Sequence, residues 1–290
     1  MHVRAVAAAA TAFIGTAVLL LPAPTAQAAA DDDRPLVVAH RGASAYAPEN
    51  TLAAVDMAAD MGFSWVENDV QRTKDGELVV IHDATLARTT NVEELYPRRA
   101  PWNVRDFTSK EISRLDAGSW FGTRYAGARV PTLEQYMTRV SRNNQKLVLE
   151  IKNPQLYPGI ERQTLKVLSN EGWLSPARLR SRLVVQSFSA ATVRTVHELR
   201  PGVRTAFLGT PKIAELAEYA TFADQINPSY MTISRGYVAS VQAFDGPHGR
   251  PLEVLTWTVN TAADARQMAE YGVDGIITNK PDVVRKATKS

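Results

Sequence analysis

Several residues in this chain have the types and spacing to act on a charged substrate. His40 closes an apolar run and is followed by Arg41. Glu67 and Asp69 stand two apart in one β-branched run, as do Glu150 and Lys152 in another. In an extended strand that spacing puts both side chains on one face. Glu67, Asp69 and Glu150 make an all-oxygen set, which suits a hard cation such as Mg²⁺ or Ca²⁺ rather than zinc. His40 and His82 beside such a cation can act as general acid and general base. Arg41 and Lys152 offer fixed positive charge to an anionic substrate, with phosphate the natural candidate. A phosphodiester needs a proton for its leaving oxygen, a base for its nucleophile and a cation for its non-bridging oxygens. This set meets each need. Taken singly the residues have plainer readings: Glu150 and Lys152 as a surface ion pair, a strand-end histidine as structural. His197 and His248 are read as structural. Trp257 is read either as core or as a wall of the same pocket.

The elements that must position these residues follow from periodicity. Strands are predicted over Leu36–His40, Trp65–Gln71, Leu147–Lys152, Leu183–Ser187, Arg204–Leu208, Gln225–Ile226, Val254–Asn260 and Gly275–Thr278. Helical patterns separate nearly all of them, over Thr51–Met61, Leu133–Asn143, Gly159–Asn170, Ser189–Leu199, Pro211–Tyr219, Arg235–Phe244 and Ala262–Tyr271. This alternation predicts an α/β chain folded as a (β/α)₈ TIM barrel, whose C-terminal strand ends carry function. A doubly wound sheet would show a Gly-rich loop after its first strand, and no G-x-G-x-x-G occurs. Leu78–His82 follows the second strand too closely for a parallel crossover, so an extra β-hairpin is expected, turning at Lys74-Asp75-Gly76. With Asp75-Gly76 at the turn centre, His82 lies opposite Asp69 and returns to the barrel mouth. Residues from about 83 to 130 are too long for a plain loop and are expected to form a small inserted cap.

Composition sets outer limits. The chain has 290 residues, 45% hydrophobic and 22% charged, which is ordinary for a globular protein and not for a disordered one. Its net charge of +3 is scattered, whereas a nucleic-acid reader would gather basic residues in a stripe, so no nucleic-acid partner is expected. Cysteine is absent, which excludes disulfides, thiolate metal sites and a cysteine nucleophile. Residues 1–28 read as a secretory signal peptide: a basic start, an apolar Ala5–Leu21 and a small-x-small Ala26-Gln27-Ala28. An uncleaved anchor is the competing reading, and Pro22, Pro24 and the alanine-rich composition favour cleavage. Residues 29–290 are then a single secreted domain with no stable membrane anchor, and no obligate protein partner is inferred.

Six stretches resemble the signatures of the glycerophosphodiester phosphodiesterase family. They are HRGASAYAPENT (His40–Thr51), ENDVQRTKDGELVVIHDATLARTTN (Glu67–Asn91), DAGSWF (Asp116–Phe121), LEIK (Leu149–Lys152), WTVN (Trp257–Asn260) and GVDGIITNKP (Gly272–Pro281). The resemblance runs through the chain after the leader, in the family's order. It implies a barrel with an inserted cap and one divalent cation, Mg²⁺ or Ca²⁺, on Glu67, Asp69 and Glu150. It further implies His40 and His82 as the acid–base pair, Arg41 and Lys152 on phosphate, and Asn50 in support. The implied partner is a small-molecule glycerophosphodiester. Asn279 departs from the pattern, since many members carry an acid there. Two other functions fit the same residues in outline: a phospholipase D-like hydrolase of lysophospholipid or sphingomyelin, and a non-catalytic secreted barrel binding a cell-wall polymer.

Overall fold

The computed structural model describes residues 1–2, 34–179 and 181–289, so residues 3–28 of the expected signal peptide lie outside the described residues. Residues from Arg34 onward form one compact unit. Its strands are β1 (Leu36–Ala39), β2 (Trp65–Arg72), β3 (Leu78–Val80), β4 (Lys146–Ile151), β5 (Leu183–Ser187), β6 (Arg204–Leu208), β7 (Gln225–Asn227), β8 (Glu253–Thr256) and β9 (Gly275–Thr278). Parallel pairing runs from β2 through β4 to β9 in order, and β1 pairs with both β9 and β2. The sheet therefore closes as an eight-strand parallel barrel, with β3 as an antiparallel addition on β2. Burial on both faces explains why these strands read as runs of Val, Ile and Leu.

The helices between strands begin where their caps require. Thr51, Thr132, Ser189 and Thr261 each accept a hydrogen bond from a backbone N–H in the first helical turn. Leu133–Arg142 shows the helical logic: Leu133, Tyr136, Met137 and Val140 are buried on one face, at the three- and four-residue spacing of an amphipathic helix. A further helix, Pro281–Ala287, follows β9 and was not expected from periodicity; at seven residues it is too short for a clear stripe.

The pleat decides what enters the barrel. Val38, Trp65, Val148, Val184, Ala206, Leu255 and Ile277 form one buried apolar cluster drawn from seven strands. Two residues further along their chains stand His40, Glu67, Glu150, Gln186, Leu208, Trp257 and Asn279. Side chains alternate faces with period two, so a strand that contributes an apolar floor residue presents its next same-face residue nearer the C-terminal mouth. The floor thus fixes the site above it.

The hairpin departs from the expected register by one residue. Val70 pairs with Val80 and Arg72 with Leu78, which puts Ile81, not His82, across from Asp69. Ile81 N–H donates to the Asp69 carbonyl at 2.9 Å. The cause is the turn, which has three loop residues, Lys74 to Gly76, closed by Thr73 N–H donating to the Glu77 carbonyl. Gly76 takes a φ of +91°, as the last residue of such a loop requires. His82 still comes to the mouth, by another route. β2 outruns β1, whose last paired residue is Ala39 opposite Val66, and the edge that β1 does not reach accepts β3 from Val70 onward. Beyond β3 the buried Gln71 amide donates to the carbonyls of Ile81, His82 and Asp83, curling the chain inward. The long segment that follows packs Leu86, Val92, Val104, Phe107, Ile112 and Leu115 against Val79 and Ile81 of the hairpin. β8 is shorter than expected: it ends at Thr256, and the chain turns at the mouth instead of continuing to Asn260.

Candidate active site

β1 delivers His40 and then turns sharply. Arg41 and Gly42 adopt φ values of +56° and +78°, in the left-handed region. A Cβ on Gly42 would meet the backbone of Ala54 at 2.6 Å, so glycine lets this turn press against the helix Leu52–Asp60. The turn sends main chain and side chain of Arg41 to different acids. Its N–H donates to Glu67 Oε2 at 2.9 Å, its Nε lies 3.4 Å from Asp69 Oδ2, and its Nη1 donates to Glu49 Oε1 at 2.8 Å. Asn50 N–H donates to the Arg41 carbonyl, and Asn50 Nδ2 donates to Asp69 Oδ2 at 2.8 Å. Asn50 thereby holds the turn against β2.

Glu67, Asp69 and Glu150 are buried, and each offers one oxygen within 4.8 Å of the others. Asp69 pairs with Glu150 in the β2–β4 register, which accounts for their meeting. Lys152 Nζ lies 2.9 Å from Glu150 Oε1 and 3.6 Å from Asp69 Oδ1. Burial would raise the pKa of Asp69, but Arg41 and then Lys152 outweigh it and hold this carboxyl well below the usual range. Glu67 is pushed well up by burial and by the charges of Asp69 and Glu150. Glu150 is pushed up to about 8 by burial and by Asp69. Two acids that resist ionisation beside a third that does not are a set short of positive charge. Glu67 Oε1 and Asp69 Oδ1 are buried and accept no hydrogen bond, and Glu150 Oε1 has only the Lys152 ammonium beside it. Buried carboxylate oxygens so short of donors fit a hard divalent cation, which takes oxygen ligands.

The imidazoles are backed by different groups. His40 Nδ1 donates to Asn279 Oδ1 at 2.6 Å, and its Nε2 lies 3.9 Å from Glu67 Oε2. Burial, followed by the charge of Arg41, lowers the His40 pKa to about 4. His82 Nδ1 donates to Asp83 Oδ1 at 2.6 Å. Burial also lowers the pKa of His82, and Arg41 and Lys152 add to this, whereas Asp69 and Asp83 oppose it. With Nδ1 engaged behind each ring, Nε2 is the nitrogen left for chemistry.

One cleft gathers His40, Arg41, Glu67, His82, Glu150, Lys152 and Trp257, with Gln186, Phe188, Leu208, Thr258 and Ile277 completing its wall. Asp69 and Asn50 stand behind this lining, bonded to each other. All nine residues singled out from the sequence therefore come together. Trp257 fills both of its readings: it packs on the barrel's apolar floor and lines the cleft. Its Nε1–H donates to the Asn227 carbonyl at 2.7 Å, and Phe188 meets its ring edge-on at 5.4 Å. Phe188 was not anticipated. Its signal was parity, since it follows Val184 and Gln186 on the inward face. Among the described residues, none from 83 to 130 lines this cleft. The insertion instead meets the first strand–helix loop, where Arg124 and Tyr125 donate to the Tyr46 carbonyl and Arg88 reaches Glu49. Arg88 and its carboxylate partners also went unread, although the quoted motifs contain them.

Comparison with known proteins agrees with this fold. Residues 40–283 match the Glycerophosphoryl diester phosphodiesterase family. A glycerophosphodiester phosphodiesterase of Bacillus subtilis is 36% identical, over 89% of this chain and 87% of its own length. One from Caldanaerobacter subterraneus subsp. tengcongensis is 36% identical, over 86% of this chain and 96% of its own. Among solved structures, a phosphodiesterase of Oleispira antarctica in complex with the product sn-glycerol-3-phosphate superposes with a TM-score of 0.76. It is 27% identical and covers 89% of this chain and 98% of its own.

Proposed function

The chain belongs to the glycerophosphoryl diester phosphodiesterase family, and from that premise we propose that it hydrolyses glycerophosphodiesters to glycerol 3-phosphate and an alcohol. The observation that carries this is the convergence of two imidazoles, two fixed cations and three buried carboxylates on one cleft. The relative from Oleispira antarctica, whose structure holds sn-glycerol-3-phosphate, supports the choice of product.

Arg41 and Lys152 bind the diester anion and orient it between the imidazoles. His40 and His82 divide the two proton transfers: one Nε2 takes a proton from the attacking oxygen, and the other gives one to the departing alkoxide. Glu67, Asp69 and Glu150 would hold one divalent cation, Mg²⁺ or Ca²⁺, which when bound supplies charge to the non-bridging oxygens. Asn50 supports Asp69 and the Arg41 turn. Fully ionised, the three acids outnumber the two fixed cations Arg41 and Lys152; a bound divalent cation would leave the site net positive, which suits a monoanion. Trp257 and Phe188 form the apolar side of the cleft. We propose residues 29–290 as the catalytic domain and export as the fate of the chain, supported by the leader pattern in 1–28.

The test is a product assay on the purified protein with Mg²⁺ or Ca²⁺. Glycerophosphocholine, glycerophosphoethanolamine, lysophosphatidylcholine and sphingomyelin are offered in turn. Release of glycerol 3-phosphate from the first two is expected. A protein that releases none with either cation does not have this activity.

A further inference from the structure

Behind the cleft lies a guanidinium with two carboxylates on it. Arg88 Nε and Nη2 bond Asp83 Oδ2 and Oδ1 at 2.6 and 3.0 Å. Its Nη1 and Nη2 bond Glu49 Oε2 and Oε1 at 2.8 and 2.7 Å. In each carboxylate one oxygen is shared with a residue of the cleft. Asp83 Oδ1 also receives His82 Nδ1 at 2.6 Å, and Glu49 Oε1 also receives Arg41 Nη1 at 2.8 Å. One planar group thus sets the oxygens that orient an imidazole delivered by the hairpin and a guanidinium delivered by β1.

We propose that Arg88 is a positioning residue, fixing His82 and Arg41 relative to each other through Asp83 and Glu49. The inference rests on the activity proposed above. Three observations carry it. The guanidinium is a rigid fork whose donors match two carboxylates at once, which a lysine ammonium cannot do. The Arg88 side chain is 44% exposed, and ion pairs so open to water contribute little to stability, so holding the fold together does not account for the arrangement. Both carboxylates stay ionised to receive it. The bond to Arg88 holds the Asp83 carboxyl at about 2, and for Glu49 burial is outweighed by Arg88 and Arg41.

The experiment compares Arg88→Gln, Arg88→Lys, Asp83→Asn and Glu49→Gln with the parent, on glycerophosphocholine with saturating Mg²⁺, and records thermal unfolding of each. Asp83→Asn should lower mainly kcat and Glu49→Gln should raise mainly KM. Arg88→Gln should do both, with a fall in kcat of about 10–100-fold, the usual scale for a group acting through a catalytic neighbour. Its unfolding midpoint should match the parent's. Added to Asp83→Asn, it should lower kcat by less than about two-fold more, because both changes break one path. Arg88→Lys should recover only part of the loss. Parental kcat and KM in Arg88→Gln overturn the proposal. So does a kinetic loss that appears only with a lowered unfolding midpoint while Asp83→Asn and Glu49→Gln behave as the parent. His82→Ala and Arg41→Ala separate this from the larger reading: if they too keep parental activity, the proposed site itself is wrong.

Discussion

His40 and Asn279, 239 residues apart in the chain, are joined by a hydrogen bond of 2.6 Å from Nδ1 to Oδ1. A neutral amide can fix the ring's tautomer but gives its positive form less support than a carboxylate would. His82, with Asp83 in the corresponding place, has that support. The two imidazoles are alike in residue type and unlike in backing.

Asn279→Asp should therefore raise the pKa of His40 from its depressed value near 4, since the new charge favours the imidazolium. The limb of the kcat/KM profile that belongs to His40 should move to higher pH. A profile that does not move would show that His40 is silent in it.

Replacing either histidine with Ala should lower kcat by about 10²–10⁴-fold, the usual scale of a positioned proton transfer. A nitrophenyl diester, whose leaving group needs no proton, should restore the variant that lacks the acid and not the one that lacks the base. Near-parental turnover of glycerophosphocholine by both variants would remove the acid–base assignment.

The carboxylate cluster gives a pH dependence with a definite sign. In the metal-free protein Glu150 titrates at about 8, against about 4.3 in an unfolded chain. The folded state then binds the extra proton, so the Glu150 contribution to stability is full below about pH 4.3 and is lost as pH rises through 8. Mg²⁺ or Ca²⁺ should flatten that slope and, near pH 7, release protons on binding. Unfolding curves across this range, with and without metal after chelation, and titration calorimetry in buffers of different ionisation enthalpy, check both statements. Glu150→Gln should weaken metal affinity and reduce the slope while leaving the fold intact.

Phe188 and Trp120 make a paired test of what shapes the cleft. Phe188 is 50% exposed and lines it, whereas Trp120 bonds Ala117 and packs on Phe121 within the insertion. Phe188→Ala should change the ranking among leaving alcohols, and Trp120→Ala should leave it as in the parent. The opposite result would place the insertion, not the β5 end, at the alcohol side.

Much of this was legible in the sequence because the barrel imposes period two on chemistry as well as on packing. Glu67 with Asp69, and Glu150 with Lys152, share one face by their spacing alone, and the strands that carry them were bounded to within a residue. The hairpin register was not, since Asp75-Gly76 fits a two-residue turn as well as the last part of a three-residue one, and only the backbone decides. Phe188 was hidden because it falls between the strand that ends at Ser187 and the helix that starts at Ser189. The bonds of Arg88 were hidden for a different reason. Its partners Glu49 and Asp83 are reached through a turn in the first loop and a curl after β3, and neither leaves a spacing to count.

Pairing of β1 with β9 has a consequence for how this protein comes to work at all. His40 leaves the first barrel strand and Asn279 follows the last, so its ring has no backing until nearly the whole polypeptide has been made and the seam has shut. A chain cut before Gly275 would leave the edges of β1 and β8 without neighbours, open to strands of other copies. The cut that silences the enzyme is thus also the cut that makes it adhesive, and partial chains gain nothing from having every acid and base of the site.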